Sequence, residues 1–327
     1  EMTPATSLLM QQFLEALFDE REVAVFQGAA DTTQALLALK FDHCFFTGSP
    51  AVGKLVMAAC AKHLCSVTLE LGGKSPAIMD ASVNLKRAAI SLAYGKGMNA
   101  GQTCVAPDYA LIEASVRDPF VAELKQLLEA RYGKTAAEQK ASPYLARIVN
   151  VRHAQRIQGL IDDAVNRGAR IVIGGDVSVD ECWVQPTVLV DVPDDANILH
   201  EEIFGPVLPI RTWQTLDEAI AWVNADEKPL ALYMYSETNI MIETVLRRTS
   251  SGDAGINMCV VHFINHHLPF GGVNNSGMGK GHGYHGFKAF SHERSVVRNR
   301  FSITPATHAP YDSRTMKLIK FTLKWLI

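Results

Sequence analysis

The chain has 327 residues, and its 31 Lys and Arg against 34 Asp and Glu leave a formal net charge of −3. Hydrophobic residues make up 48% and charged residues 20%, which is typical of a globular protein with a sizeable core. This composition excludes a small disulfide-stapled module, a polybasic nucleic-acid-binding protein and an apolar-poor disordered chain. We therefore expect about two domains, small-molecule or protein partners, and no nucleic-acid partner.

The cysteines and the chain ends indicate the cellular setting. Six cysteines are scattered without a CxxC pair and the first residues do not resemble a signal peptide, so we expect a reducing, cytoplasmic location. The stretch 317–327 is short and interrupted by Lys320 and Lys324, so no spanning membrane segment is predicted. Because the sequence opens at Glu1 and enters a helix start at Pro4, we expect the natural N-terminus to lie further upstream.

The first 71 residues alternate helical and extended patterns. Apolar residues at helical spacing predict a first helix over residues 7–18. The elements predicted next are a strand over 22–26, a helix capped by Asp31 and ending at Leu39, a strand over 43–47, a helix over 50–63 capped by Ser49, and a strand over 67–71. Strands that alternate with helices of about ten residues indicate right-handed crossover units and a parallel sheet.

A second α/β region follows the turn at Gly72 and Gly73. Its predicted elements are strand 76–79, helix 84–96, strand 109–112, helix 118–131, helix 150–166 and strand 170–173. The glycine-rich stretch 270–286 predicts a packed loop, and the tail after residue 302 predicts an extended arm.

A glycine turn opens the helix predicted at residue 50. The sequence Gly48-Ser49-Pro50-Ala51-Val52-Gly53-Lys54 follows a strand and begins a helix, which is where backbone N–H groups and the helix dipole bind phosphate. It matches the P-loop spacing, but Leu55 stands where a magnesium-binding Ser or Thr is needed. The segment alone leaves open an incomplete nucleotide motif and an ordinary turn with a Ser49 cap.

Cys104 and Glu70 are the candidate reactive residues. Cys104 follows Gly101-Gln102-Thr103 in a loop of small and polar residues, where a thiol can be an exposed nucleophile. Glu70 ends an apolar strand, where desolvation would raise its pKa toward the range of a general base. The alternatives are an inert packed cysteine and a glutamate that faces solvent.

Two further patterns carry little chemistry by themselves. His262 and His266 are four residues apart, but the following Leu268-Pro269 argues against a helix and no acidic ligand lies alongside, so no metal site is predicted. The segment 201–206, with two glutamates, a phenylalanine and a Gly-Pro turn, is equally compatible with a helix end and a bend.

Taken in order, five segments resemble the signature series of the aldehyde dehydrogenase superfamily. They are Phe46-Thr47-Gly48-Ser49, Glu70-Leu71-Gly72-Gly73-Lys74, Gly101-Gln102-Thr103-Cys104, Glu202-Ile203-Phe204-Gly205-Pro206 and Pro269-Phe270-Gly271-Gly272. Residues 67–76, 275–279 and 290–292 resemble most the class 3 branch of fatty and coniferyl aldehyde dehydrogenases. The likeness extends from Glu1 to about Arg298.

The resemblance implies an α/β fold in three parts. Residues 1–71 would form the second half of a Rossmann-like NAD(P)-binding domain, and residues 72–271 an α/β catalytic domain. Residues 272–327 would form a glycine-rich loop, a dimerisation arm and a tail. The arm after Ser295 implies a homodimer formed by strand pairing.

The resemblance also implies a reaction and its residues. The reaction is oxidation of an aldehyde to a carboxylic acid with NAD or NADP, through a thiohemiacetal and a thioester on Cys104, with Glu70 as general base. Phe270 would belong to the substrate pocket. The cofactor-binding residues would be Glu1, Thr47, Gly48, Ser49, Leu71, Gly72, Glu202 and Phe204.

The sequence departs from the family pattern in two places. More than a hundred residues that the family has before Glu1 are not in this sequence, so its oxyanion-hole Asn and adenosine-binding Lys cannot be assigned. Asn274 stands where the class 3 branch usually has Gly. Two alternatives therefore stay open: a P-loop-type nucleotide hydrolase, and a catalytically inactive binding or scaffold fragment of the dehydrogenase fold.

Overall fold

A computed structural model describes residues 1–300 and 308–326 of the chain. Its contacts separate two units, Glu1–Phe290 and Ser291–Ile327. The strands described are β1 (His43–Gly48), β2 (Ser66–Leu71), β3 (Pro76–Met79), β4 (Tyr109–Glu113), β5 (Arg170–Ile173), β6 (Val177–Ser178), β7 (Trp183–Val184), β8 (Thr187–Val190), β9 (Val207–Trp213), β10 (Ala231–Tyr235), β11 (Asp253–Ile256) and β12 (Gly277–Met278).

The helices are numbered separately in chain order. They are α1 (Pro4–Leu17), α2 (Ala30–Leu37), α3 (Pro50–Ala61), α4 (Leu85–Gly97), α5 (Arg117–Tyr132), α6 (Ala136–Ala141), α7 (Val151–Asn166), α8 (Leu216–Ala225), α9 (Asn239–Arg248), α10 (Gly283–Ala289) and α11 (Ser313–Leu326). No helix in the described parts of the chain has the length and apolar character needed to cross a bilayer.

A seven-stranded sheet in the order β11-β10-β3-β4-β9-β8-β5 forms the larger core. All its pairs are parallel except β5 with β8, which confirms the parallel sheet that the alternating elements predict. Strand β3 is buried on both faces, as central parallel strands are. Ala77 and Met79 pack in one hydrophobic cluster with α4 and α5, and Ile78 packs in another with α8 and α9.

A smaller sheet has the order β1-β2-β12; β1 and β2 precede the strands of the larger sheet in the chain, and β12 follows them. Strands β1 and β2 are parallel and β12 is antiparallel to β2, so Glu70 is paired with Thr47 on one side and Gly277 on the other. Helix α3 covers this sheet by packing Val56 and Cys60 against Leu69 and Leu71. This arrangement brings the ends of β1 and β2 together beside the start of α3.

Two local predictions for the first unit are wrong. Residues 22–26 form a turn and an irregular segment rather than a strand, since no strand of the described chain pairs with them. Asp31 does not cap α2: the cap residue is Ala29, and Asp31 lies in the first turn, where its charge complements the helix dipole. The predicted Ser49 cap is confirmed, because Ser49 Oγ accepts a hydrogen bond of 3.4 Å from the Val52 N–H.

The second unit is described only in part. Residues 291–300 contain no strand, and α11 carries Arg314, Lys317, Lys320 and Lys324 without an acidic residue. The extended arm predicted after residue 302 falls partly on residues 301–307, which lie outside the described residues, and residues 313–326 form the helix α11 instead of an extended segment. The three-part division at residues 71 and 271, and the dimerisation role of the arm, stay predictions.

Candidate active site

A cleft of about 1010 Å³ lies in the first unit where β1, β2 and two loops meet. Eight of the residues that the sequence singles out line it: Thr47, Gly48, Ser49, Glu70, Gly72, Cys104, Glu202 and Phe204. They come from segments as far apart in sequence as residues 47 and 204. The fold therefore brings the candidate nucleophile, the carboxyl groups of Glu70 and Glu202 and the glycine turn at Gly48 to one place.

The loop of residues 99–104, here called the Cys104 loop, is held in an unusual backbone conformation. Asn99, Ala100 and Gly101 have φ values of 49°, 52° and 73°, the left-handed region that residues with a side chain rarely adopt. Gln102 maintains it: the side-chain Nε2 donates to the carbonyls of Asn99 and Arg147 at 2.9 and 3.0 Å. Strain of this kind persists only where its surroundings hold it, and it is common at active sites.

The Cys104 thiol lies half-buried at the end of this loop. Burial, together with the smaller effects of the nearby Glu202 and Glu70 charges, raises its pKa to about 11. The backbone N–H groups of Cys104 and Val105 act in the opposite direction, since they face the sulfur. The resting thiol is therefore protonated near neutral pH, and becoming a nucleophile requires that a base take its proton.

Glu70, at the end of β2, is a buried carboxyl group with unusual surroundings. Neither carboxyl oxygen has a hydrogen-bond partner among the described residues. Burial and the negative charge of Asp253 raise its pKa to about 7, while Lys280 lowers it. A carboxyl group with this pKa can accept and release a proton near neutral pH, which suits a general base.

Glu202 is the second carboxyl group with a pKa near neutrality. Burial and the charge of Asp108 raise the pKa to about 7, and a hydrogen bond from the Gly73 N–H, with the cations of Lys74 and Arg156, acts against this. The side chain is therefore oriented by the turn that follows β2, unlike that of Glu70.

Three cations hold the segment 201–206 in place. Lys74 forms a salt bridge with Asp108 and donates to the carbonyls of Ile198 and Glu201 at 2.9 and 3.1 Å. Arg156 on α7 donates to the carbonyls of Glu202 and Ile203 at 2.9 and 2.6 Å. These contacts fix the backbone that carries Glu202 and Phe204.

Lys96 is the third of these cations, and it connects the segment 201–206 to the Cys104 loop. Its buried ammonium group donates to the Gly205 carbonyl at 3.1 Å, and burial lowers its pKa to about 8. A Cβ at Gly101 would overlap that carbonyl, so the two loops touch at this point. Lys96, Asp108 and Arg156 have no distinctive motif, and sequence reasoning missed them.

The start of α3 forms one end of the cleft. Ser49, Pro50 and Ala51 line the cleft, so the positive end of the helix dipole faces it. Thr47 and Gly48, the last residues of β1, complete the turn. A helix N-terminus of this kind can bind an anionic group through its backbone N–H groups.

Three predicted site residues lie away from the cleft lining. Leu71 is buried between β2 and α3, against Gly53. Phe270 is buried and stacked on His282 with ring centroids 4.7 Å apart, and Glu1 is exposed at the chain start. Their assigned roles stay predictions. No group of three or more metal-ligating side chains occurs in the described parts of the chain.

Comparison with known proteins identifies the family. Residues 1–296 match the Aldehyde dehydrogenase family. The chain belongs to this family. It is 47% identical over 296 residues to AldX of Bacillus subtilis, covering 90% of this chain and 66% of AldX. It is 44% identical over 326 residues to aldehyde dehydrogenase family 3 member A2 of Mus musculus, covering 99% of this chain and 66% of the relative.

Solved structures agree with this assignment. A substrate-bound structure of AldH from Staphylococcus aureus matches with a TM-score of 0.90 and 41% identity, covering 99% of this chain and 69% of that one. The aldehyde dehydrogenase fold and the class 3 resemblance are thus confirmed. The chain spans about two thirds of the length of these relatives. Nothing in these similarities supports a P-loop hydrolase or an inactive scaffold.

Proposed function

We propose that this aldehyde dehydrogenase chain contributes the nucleophile, the general base and part of the cofactor site for oxidation of an aldehyde to a carboxylic acid with NAD or NADP. The observation that carries the proposal is the meeting of Cys104, Glu70 and Glu202 in one cleft at the start of α3. Family membership supports the same reaction.

Cys104 is the nucleophile in this proposal. Its sulfur attacks the aldehyde carbon and forms a thiohemiacetal, and the backbone N–H of Cys104 donates to the oxygen that gains negative charge. Because burial keeps the thiol protonated, its proton must move first to a base. Glu70 and Glu202, each with a pKa of about 7, lie close enough to raise the pKa of the thiol, and either can accept its proton.

Glu70 is the base for the second half of the reaction. The nicotinamide, when bound, supplies the hydride acceptor that converts the thiohemiacetal to a thioester. Glu70 then takes a proton from water, which attacks the thioester carbon and releases the carboxylic acid and the Cys104 thiolate. A pKa near 7 lets this carboxyl group accept that proton and return it to solvent at neutral pH.

The cofactor roles in this proposal follow the family resemblance, and the cleft lining supports those of its members among the named residues. Thr47, Gly48 and Ser49 would hold the diphosphate at the start of α3. Glu202 would bind the nicotinamide ribose through its carboxyl oxygens, with Phe204 and Gly72 beside the ring. Glu1 would bind the adenine ribose, and Leu71 would contact the cofactor through its backbone. Phe270 would belong to the substrate pocket.

We further propose a homodimer that uses the segment after Ser295, and a cytoplasmic location. All six cysteines are free thiols in the structure, which fits a reducing compartment. The substrate is a small-molecule aldehyde.

The test is Cys104→Ser, with Cys182→Ser as the matched control at another half-buried cysteine. Formation of NADH or NADPH is followed with aliphatic and aromatic aldehydes, and cofactor binding is measured separately by fluorescence. We expect Cys104→Ser to abolish turnover while cofactor affinity and Cys182→Ser turnover stay near those of the parent. Substantial turnover by Cys104→Ser would refute the assignment of the nucleophile.

A further inference from the structure

The loop of residues 271–281, here called the glycine loop, closes over the carboxyl group of Glu70. Gly277 pairs with Glu70 across the antiparallel contact of β12 with β2. A Cβ placed on Gly271 would lie 2.9 Å from Glu70 Oε1, and one on Gly281 would lie 3.6 Å from it. Two glycines therefore lie against the carboxyl group, and neither has a side chain that could donate a hydrogen bond.

Lys280 fixes a positive charge beside this carboxyl group. Its Nζ donates to the Gly271 carbonyl at 2.5 Å, and its side-chain stem lies along Gly271, with Cδ 3.1 Å from the position of a Cβ there. The ammonium group is thus held by the same glycine that touches Glu70. The hydrogen bond is partly buried, so solvent screens this charge less than it would at the surface.

Asp253 provides a negative charge from β11, outside the glycine loop. It begins β11, and its Oδ2 accepts a hydrogen bond of 3.4 Å from the Gly271 N–H. Asp253 raises the pKa of Glu70 and Lys280 lowers it, and burial exceeds both effects. A cation and an anion of opposite effect on Glu70 are therefore both hydrogen-bonded to Gly271, the residue that lies against its carboxyl group.

Beyond burial, Asp253 and Lys280 are the charged groups that shift the pKa of Glu70. Its strand neighbours Thr47 and Gly277 carry no charge. On the cleft side, Cys104, Glu202 and Lys74 are among the ionisable residues of the lining, but the charges that shift the pKa of Glu70 are those of Asp253 and Lys280. Because Glu70 has no hydrogen-bond partner in the described chain, its proton affinity depends on burial and on nearby charges.

We propose that Lys280 is a positioning residue that sets the charge state of the base Glu70, with Asp253 as the opposing charge. The proposal rests on the function proposed for Glu70. Lys280 favours the carboxylate form that can accept a proton from water, and Asp253 favours the form that holds the proton. Because the two charges oppose each other, Glu70 can accept a proton as the base and then release it near neutral pH.

The test measures the titration of Glu70 without cofactor or aldehyde. Infrared difference spectra between the parent chain and Glu70→Gln isolate the carbonyl stretch of the protonated Glu70 and give its midpoint. Lys280→Met keeps the aliphatic stem and removes the charge, so we expect the midpoint to rise by about one pH unit. Lys280→Arg should bring it back toward the parent value, and Asp253→Asn should lower it.

Lys228→Met is the matched control, because Lys228 also lines the cleft but donates to Asn274 at 2.8 Å. The titration midpoint of Glu70 in Lys228→Met should equal that of the parent. An unchanged midpoint in both Lys280→Met and Asp253→Asn would overturn the proposal. If Lys280→Met does not fold, the other two variants provide the test. A lowered Glu70 midpoint in Asp253→Asn, with a parent-like midpoint in Lys280→Arg, would support the proposal, and an unchanged midpoint in Asp253→Asn would overturn it.

Turnover separates this proposal from the proposed function. The acidic limb of the kcat profile against pH should move with the infrared midpoint in Lys280→Met, while KM for the aldehyde stays near the parent value. Shifted midpoints without aldehyde oxidation would support the role of Lys280 and refute the proposed function. Aldehyde oxidation with unshifted midpoints would support the proposed function and refute the role of Lys280.

Discussion

Gly72 lies directly against the carboxyl group of Glu202. A Cβ at position 72 would overlap both carboxyl oxygens, while the next residue, Gly73, donates its N–H to the same group. The glycine is thus required by the space that Glu202 occupies. One turn after β2 therefore both admits the Glu202 side chain and orients it, which places this carboxyl group in the cleft.

Gly72→Ala should displace Glu202 and weaken cofactor binding. The added methyl group cannot be accommodated without moving the carboxyl group, so we expect an affinity loss of about tenfold, equivalent to about 1.4 kcal/mol, measured by fluorescence titration with NAD and NADP. Gly159→Ala is the control, since a Cβ there has no neighbour within 4 Å and the site lies within α7. Equal affinities in the two variants would contradict the proposed contact between Glu202 and the cofactor.

The Cys104 thiol should react slowly at neutral pH and faster in alkaline solution. With a pKa of about 11, its thiolate fraction rises about tenfold for each pH unit between pH 7 and 10, and alkylation by iodoacetamide should follow. Glu202→Gln removes a charge that raises this pKa, so it should accelerate labelling of Cys104 at pH 8. Peptide mass spectrometry measures the rate, and the exposed Glu22→Gln should have no effect. A rate independent of pH would show that the thiol is already ionised.

Arg156→Met should loosen the segment 201–206. The substitution leaves the carbonyls of Glu202 and Ile203 without the donor that the guanidinium provides, which typically costs about 1–3 kcal/mol of stability. We expect a lower urea midpoint and a higher KM for the cofactor. Arg152→Met, on an exposed position of the same helix, is the control. A parent-like KM would mean that the contacts of Lys74 and Lys96 suffice.

Glu70→Gln should slow hydrolysis of the thioester more than hydride transfer. The amide cannot accept a proton from water, whereas the thiol chemistry of Cys104 remains available. A burst of reduced cofactor should therefore appear, or increase, in stopped-flow absorbance before slow turnover. Parallel loss of the burst and of turnover would indicate that Glu70 acts earlier, or that Glu202 is the base.

The sequence singles out Ser49 and Glu70 from their positions at the ends of regular elements, and Gly72 from the resemblance to the family. Glycine turns after β1 and β2 end strands and begin helices or loops, and parallel strands place those ends on one edge of a sheet. That rule brings Ser49, Gly72 and Glu70 together without any knowledge of side-chain packing. Local pattern fails for residues 22–26, where a short apolar run predicts a strand but no described strand pairs with it.

The residues that support the cleft could not be predicted in this way. Lys96 and Arg156 donate to backbone carbonyls 109 and 46 residues away, and a carbonyl acceptor has no signature in sequence. The control of Glu70 by Lys280 and Asp253 likewise depends on which charges the fold places around one buried group. Phe270 shows the converse, because its motif is evident but its ring packs on His282 away from the cleft lining.

The raised pKa of Glu70 predicts how Glu70→Gln changes stability with pH. The ordinary pKa of 4.5 rises to about 7 in the fold, so between these values the folded state holds a proton that the unfolded chain has released. The contribution of Glu70 to stability is therefore fully present below pH 4.5 and is lost as pH rises through about 7. Above that pH the fold contains a buried carboxylate without a hydrogen-bond partner in the described chain.

Glu70→Gln should consequently gain stability relative to the parent as the pH rises. We expect the difference in the free energy of unfolding to shift in favour of the variant by about 1–3 kcal/mol between pH 5 and pH 8, measured by urea denaturation at both values. Glu22→Gln, at an exposed site, should show a difference that does not change with pH. If the Glu70→Gln difference is equally flat, the carboxyl group titrates as an ordinary glutamate, and neither its burial nor the charges around it can be the origin of a base that operates near pH 7.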